Sequence, residues 1–270
     1  MKVIAVVKAR NERENISETI LSLKRQTLPL EQIIVVNDGS TDGTGELARE
    51  LGCIVVDLPY HKESYVGKPE LAERINVGLK LAGERDPDYV LTLDADHPLP
   101  ENYVERLVKR MEANAKLVVA SGYIEGEPYV ETHPRGSGRL VKASFWKQVN
   151  NMQYPVCWGW ESWLCFKAMQ LGYEARCFKD IRSRVKRPTK EGKTGYGKAM
   201  YALGYDWKYA LGRCFLTFLK TPKAGLKMFW EYIQHENVER LDIADWVNKM
   251  QKKRFWSRVW RIIKQGGRKS

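Results

Sequence analysis

No run of uncharged apolar residues in this 270-residue chain approaches the roughly 18 needed to cross a bilayer. The first apolar stretch, Val3 to Val7, is too short for the core of a signal peptide, and charges resume at Lys8 and Arg10. The five cysteines (Cys53, Cys157, Cys165, Cys177 and Cys214) are odd in number and contain no Cys-x-x-Cys pair. That pattern argues against a disulfide framework or a structural zinc and suits a reducing compartment. Four scattered histidines, His97 and His133 among them, lack metal-ligand spacing. With 21 Gly and 11 Pro, the chain is also unlike collagen or a low-complexity linker. These absences leave the expectation of a soluble or membrane-surface intracellular protein.

What is present is a good supply of core-forming residues and an uneven charge. The composition is 43% hydrophobic, enough for a large core and one to two domains. The formal charge of +12 divides sharply: residues 1–181 carry a net −3 and residues 182–270 a net +15. A neutral-to-acidic body with a basic C-terminal third suggests a polyanionic partner, or at the least a solvated basic face.

The first half alternates short β-branched runs with helical periodicity. Lys2–Val7, Gln32–Val36, Cys53–Asp57, Tyr89–Leu93 and Lys116–Ser121 read as buried strands. Asn15–Leu28, Thr41–Leu51, Lys68–Ala82 and Pro100–Ala115 read as helices between them. This order implies a mainly parallel α/β sheet, whose ligands gather at the carboxyl ends of the strands. Farther on, Trp160–Leu171 is expected to be a helix and Tyr173–Phe178 a strand. Arg182–Gly197 has the look of a basic loop, and the chain from Met200 reads as helical.

Three strand exits carry chemistry. Leu91-Thr92-Leu93-Asp94-Ala95-Asp96 ends a buried strand in two carboxylates one residue apart. Alternate residues of an extended chain point the same way, so Asp94 and Asp96 can converge. Their mutual repulsion calls for a cation, and a hard divalent ion such as Mg²⁺ or Mn²⁺ shared with substrate phosphates fits. Asn37-Asp38-Gly39-Ser40 is a turn that presents Asp38 at the end of its strand, with Thr41 or Asp42 available to cap the next helix. Gly67-Lys68-Pro69 opens a helix bearing Arg74 and Asn76, a plausible anion site at a helix N-terminus. Each of the three alone is equally compatible with an ordinary turn, cap or solvated helix.

In this order, together with Lys8-Ala9-Arg10-Asn11-Glu12 at the first strand's end, the motifs closely resemble the catalytic half of glycosyltransferase family 2. That family has the GT-A fold of nucleotide-sugar transferases. The resemblance runs from about residue 2 to residue 178. It implies a Rossmann-like, mainly parallel sheet with flanking helices, a catalytic domain expected over 1–198; the helical, basic chain over 199–270 is expected to be a membrane-surface-associating extension. It also implies that Lys8, Asn11, Glu12, Asp38, Lys68, Arg74 and Asp94 lie along the donor nucleotide, and that Asp94 and Asp96 lie at the metal. The family's usual Pro-x-Tyr-Asn stands here as Lys8-Ala9-Arg10-Asn11, so the nucleotide base, UDP or GDP, stays open.

Trp158-Gly159-Trp160-Glu161-Ser162-Trp163, followed by Lys167 and Gly172-Tyr173, is similar to the family's second conserved stretch. Aligning Gly172-Tyr173 with its ending makes Glu161 the implied general base for an acceptor hydroxyl. Desolvation by flanking indoles would raise that carboxyl's pKa. Trp158, Trp160 and Trp163 suit stacking on a sugar or an isoprenoid chain, or equally a core. In the basic loop, Arg184, Lys186 and Arg187 are implied as candidates for holding the leaving diphosphate.

On a helical wheel at about 100° per residue, Arg254–Lys264 places two tryptophans and four aliphatic or aromatic residues opposite a basic face. Lys249–Ser270 contains nine Lys/Arg and no acid. Such a helix suits the interface of an anionic bilayer, or docking on protein. The stretches Tyr209–Leu219 and Lys227–Tyr232 have the same aromatic, basic character. No nucleic-acid motif appears.

The combined expectation is an inverting, Mn²⁺- or Mg²⁺-dependent glycosyltransferase at the inner face of the cell membrane. It would use a UDP- or GDP-sugar and a lipid-linked acceptor, either a polyprenyl-linked sugar or a polyprenyl phosphate. The segment Asp94–Pro100 also resembles dolichol-phosphate mannose synthases, which keeps the phosphate acceptor open. A nucleotidyltransferase and a non-catalytic polyanion-binding protein on a transferase scaffold are the alternatives.

Overall fold

The computed structural model describes residues 1–187 and 195–253. Strands β1 (Val3–Ala9), β2 (Gln32–Asp38), β3 (Ile54–Leu58) and β4 (Tyr89–Asp94) alternate with helices α1 (Arg13–Lys24), α2 (Thr44–Glu50) and α3 (Pro69–Gly83). Helix α4 (Tyr103–Glu112), β5 (Leu117–Ile124), β6 (Arg139–Lys142), α5 (Ala143–Asn150), α6 (Trp160–Gln170) and β7 (Glu174–Ser183) complete the sheet region. Helices α7 (Tyr196–Ala202), α8 (Trp207–Lys220) and α9 (Pro222–Ile233) follow.

The sheet order is β3-β2-β1-β4-β6-β5-β7. All neighbours pair in parallel except β6, which runs antiparallel to both β4 and β5. The expected parallel α/β sheet is therefore present, with one reversed strand. Neither β6 nor α5 has a counterpart in the sequence reading. Strand β6 is only four residues long, too short to establish a period.

The near-continuous apolar strands are buried on both faces. Ile4, Val6, Ile34 and Val36 face one core cluster, while Val3, Ala5, Val7, Ile33 and Val35 face the other. Each such Val or Ile side chain contributes about 1.5–3 kcal/mol by burial. The first cluster also takes in Leu203, Ile243 and Val247, so chain beyond residue 198 packs on the body of the sheet. Helix α7 itself runs through residue 198. The basic loop starts later than its composition suggests, because β7 continues through Arg182 to Ser183 and pairs with β5. The amphipathic helix expected over Arg254–Lys264 lies outside the described residues.

Candidate functional site

The exits of β1, β2 and β4 converge because the three strands are adjacent and parallel, with Lys8 in register with both Val36 and Asp94. A cleft of about 580 Å³ opens at these exits. Lys8, Glu12, Asp38, Asp94 and Asp96 line it together with Trp160, Glu161 and Arg187.

The Asp94-Ala95-Asp96 turn is tied down at nearly every backbone group. The Asp94 amide donates to Ser137 Oγ (2.9 Å), and the Ala95 amide to the Lys8 carbonyl (3.1 Å). The Ala95 carbonyl accepts from Thr19 Oγ1 (2.8 Å), and the Asp96 carbonyl accepts from the Lys186 amide (2.9 Å). The two carboxylates already carry cations: Lys8 Nζ lies 2.7 Å from Asp94 Oδ1, and Arg187 Nε 3.1 Å from Asp96 Oδ2. Arg187 also pairs with Glu12. Burial raises the Asp96 carboxyl above its ordinary range, against the opposing pull of backbone amides and of Lys8 and Lys186.

Behind this turn, His97 is fully buried between two hydroxyls, Ser137 Oγ at 2.7 Å from Nδ1 and Ser183 Oγ at 2.9 Å from Nε2. Burial lowers its pKa to about 4. A neutral imidazole with one donor and one acceptor nitrogen is satisfied by two hydroxyls. His97 is thus a clamp that joins the β4 exit, the Ser137 loop and the end of β7.

At the exit of β2, Asp38 is buried, with His61 Nε2 at 3.1 Å and Arg74 Nε at 3.6 Å. His61 stacks on Tyr65 with ring centroids 4.0 Å apart, and Arg10 donates to the carbonyls of His61 and Glu63. This segment crosses directly over Gly39. A Cβ there would sit 2.7 Å from Tyr60 Cα, and φ is +66°, so only glycine fits. Asn11 (φ +52°) is a brace between strand ends: its amide donates to Ser40 Oγ, and its Oδ1 accepts from the Thr41 amide. Asp42, rather than Thr41, receives the amide at the start of α2 (3.0 Å from Thr44 N). Lys68 and Arg74 do not line the cleft; Lys68 is paired with Glu63 at 2.9 Å.

Glu161 sits in the first turn of α6, exposed on the cleft wall, with its carboxylate pressed against Gly136. Buried Arg139 fixes that turn by donating to the Glu161 carbonyl (2.9 Å) and the Pro134 carbonyl (2.7 Å). The three tryptophans separate. Trp160 reaches the cleft and donates to the Lys68 carbonyl (3.2 Å). Trp163 lies in the core with its indole N–H on Asp242 (2.7 Å), and Trp158 packs against Gly195. Trp163 therefore does not enclose the Glu161 carboxylate as the sequence suggests. Of the three basic candidates, Arg187 alone lines the cleft; Arg184 pairs with Glu125 (3.6 Å), and Lys186 with Glu18 (2.5 Å).

A family model for glycosyl transferase family 2 matches residues 4–174. The chain belongs to that family. Its sequence is 31% identical over 127 residues to the polyprenol monophosphomannose synthase of Mycolicibacterium smegmatis, covering 46% of each chain. It is 27% identical over 202 residues to the glycosyltransferase GlyA of Streptococcus pneumoniae, covering 72% of this chain and 27% of that one. The chain thus spans half or less of the length of these curated relatives. Its fold resembles TarS of Staphylococcus aureus in complex with UDP-GlcNAc (TM-score 0.57, 19% identity, 75% of this chain and 64% of that one). It also resembles the mannosyltransferase PcManGT of Pyrobaculum calidifontis in complex with GDP-Man and Mn²⁺ (TM-score 0.56, 18% identity, 86% and 68%). The GT-A fold expected from the motif order is therefore the fold observed.

Within this family 2 scaffold, no group of three or more His, Cys, Asp or Glu that could hold an ion occurs among the described residues. The chemistry of the Asp94/Asp96 pair nonetheless fits a hard cation that takes its remaining ligands from phosphate and water, the habitual mode of Mg²⁺. Arg10, Glu127, Arg135 and Arg213 also line the cleft, and Ser137 and Arg139 position it, without the sequence assigning any of them a role. Only Arg10, beside Lys8 at the first strand's end, carried a signal that could have marked it.

Proposed function

We propose that this chain is an inverting, metal-dependent glycosyltransferase that moves a sugar from a UDP- or GDP-sugar to a lipid-linked acceptor at the inner membrane face. The observation that carries the reading is the sharing of one cleft by Lys8, Glu12, Asp38, Asp94 and Asp96 at three parallel strand exits, with Glu161 on the same wall. In this reading the nucleoside lies along the β1 and β2 exits, near Glu12 and Asp38. Asp94 and Asp96 would hold Mn²⁺ or Mg²⁺, which when bound supplies positive charge for the donor's pyrophosphate. Arg187, the one of the three basic-loop candidates that lines the cleft, would accompany the departing diphosphate, its charge balanced by Glu12 and Asp96 before the donor binds. Glu161 takes the proton of an attacking acceptor hydroxyl, and Trp160 offers the cleft an aromatic face. Asn11, Lys68 and Arg74 act on the donor site from behind, as braces of its loops.

A second acceptor, a polyprenyl phosphate, is favoured by the similarity to the polyprenol monophosphomannose synthase. The two acceptors differ in need, since a phosphate is already anionic and requires no base. The test is Glu161→Gln assayed with both acceptors. Loss of turnover by about 10²–10⁴-fold on a sugar hydroxyl supports the first reading. Full turnover on polyprenyl phosphate selects the second, and no transfer by the wild-type chain from any UDP- or GDP-sugar refutes both.

A further inference from the structure

The segment 207–233 carries eleven of the 21 large apolar side chains exposed among the described residues. Helix α8 buries only Ala210 and Cys214, and α9 only Gly225 and Met228. The two helices meet closely at Gly225, where a Cβ would lie 2.5 Å from Phe218 Cα, so they form a tight hairpin about Thr221. The hairpin sits on the body through a small cluster of Met200, Ala210, Cys214 and Met228. Its outer surface presents Phe215, Leu216 and Leu219 from α8, and Leu226, Trp230 and Ile233 from α9 at spacings of four and three. Large contiguous patches of this kind on a soluble monomer mark an interaction site.

Charge identifies the partner. Segment 207–233 holds five Lys/Arg and one acid, Glu231. That acid is turned inward, accepting from the Gly195 and Gly197 amides (3.0 and 3.2 Å). Exposed Lys208, Lys220 and Lys223 stand at the ends of the two helices, beside the apolar stripe. Trp207 and Trp230 are 60% and 59% exposed, and indoles prefer headgroup depth. The 14 residues of α8 extend only about 21 Å, well short of a bilayer's hydrocarbon thickness. Among the described residues no helix is long and apolar enough to cross a membrane. An apolar helix pair with cations at its ends, with tryptophans and with no exposed acid of its own, suits a position in an anionic lipid interface.

We infer that the α8–α9 hairpin is the surface by which this protein docks on an anionic phospholipid bilayer. Arg213 of α8 and Tyr196, Ala199 and Met200 of α7 line the cleft, so the docking hairpin adjoins it. The inference deepens the lipid-acceptor reading and names a surface for it, but its test needs no turnover.

The test is flotation of the full chain with vesicles of phosphatidylcholine, with and without phosphatidylglycerol. The wild type floats with the anionic vesicles. Leu216→Glu/Leu219→Glu/Trp230→Glu lowers its bound fraction by about tenfold or more, and Lys220→Glu/Lys223→Glu weakens the preference for anionic lipid. All these side chains are exposed and outside the cleft, and circular dichroism checks that the variants fold. Wild-type flotation that survives the triple substitution unchanged assigns docking to another segment and overturns the inference. A wild type that does not float overturns it too, as does one that sediments as a dimer dispersed by the triple variant, which would make the face a contact between copies. Donor-induced thermal shifts in the same samples separate the two readings: donor binding without flotation removes the docking surface alone, and flotation without donor binding removes the transferase.

Discussion

Gly136→Ala tests the role of Glu161 without altering Glu161 itself. A Cβ built on Gly136 falls 1.6 Å from Glu161 Oε1, and real Cβ atoms essentially never approach a heavy atom within 3.0 Å. Something must move by at least 1.4 Å. The Gly136 loop is held, because its carbonyl accepts from Thr92 Oγ1 (2.8 Å) and the neighbouring Ser137 hydroxyl is bound by His97 and the Asp94 amide. The Glu161 backbone is held as well, through the Arg139 guanidinium on its carbonyl. The carboxylate at the end of a flexible side chain is what gives way. A displacement of about 1 Å in a reacting group can cost on the order of 10²-fold in rate. Gly136 is absent from the positive-φ residues, so alanine meets no backbone strain there, and stability should change by less than about 1 kcal/mol. The assay is steady-state transfer to a sugar hydroxyl alongside urea unfolding. Expected are a kcat lower by about 10²-fold, unchanged donor affinity and a nearly unchanged unfolding midpoint. Normal kcat in a folded Gly136→Ala protein would refute the assignment of Glu161 as base.

Two further predictions concern the fold around the site. His97 has a folded-state pKa of about 4 against an ordinary 6.5, so the unfolded chain binds the extra proton between those values and stability falls as pH drops from 6.5 to 4. At about 1.4 kcal/mol per pH unit the loss is about 3 kcal/mol. Urea unfolding at pH 7, 5.5 and 4 should show this slope in the wild type and a shallower one in His97→Gln; equal slopes would remove His97 as its source. Gly78 of α3 lies on the sheet, where a Cβ would come within 2.5 Å of Val36 Cγ2 and 2.8 Å of Val6 Cγ1. Gly78→Ala should therefore destabilise by about 1–3 kcal/mol despite alanine's better helix propensity, and a stabilised variant in the same unfolding assay would show that the helix can lift away freely.

The first four strands were legible because they are buried on both faces and leave uninterrupted apolar runs such as Val3–Val7 and Ile33–Val36. Their exits were legible for a related reason: in a parallel sheet the polar residues that end such runs are the ones that gather, as Lys8, Asp38, Asp94 and Asp96 do. What sequence did not reveal depends on contacts between distant segments. Strand β6 is defined by its neighbours β4 and β5 rather than by any pattern of its own. His97 has no signature as a clamp until Ser137 and Ser183, 40 and 86 residues away, close on its two nitrogens. The three tryptophans look alike in sequence, yet Asp242, 79 residues on, draws Trp163 into the core while Trp160 stays at the cleft. Lys68 stands at a helix start as its position suggests, while its pairing with Glu63 five residues earlier carried no signal.

If Asp94 and Asp96 hold a donor through a divalent ion, donor binding stabilises the fold only when that ion is present. Wild type and Asp96→Ala are to be scanned against UDP- and GDP-sugars with and without Mn²⁺. In the wild type one donor class at about 100 times its dissociation constant should stabilise by about 2.7 kcal/mol, in the presence of Mn²⁺ only, and Asp96→Ala should abolish the effect. Equal stabilisation of both proteins, or the same shift without the metal, would show that the aspartate pair does not hold the donor's cation.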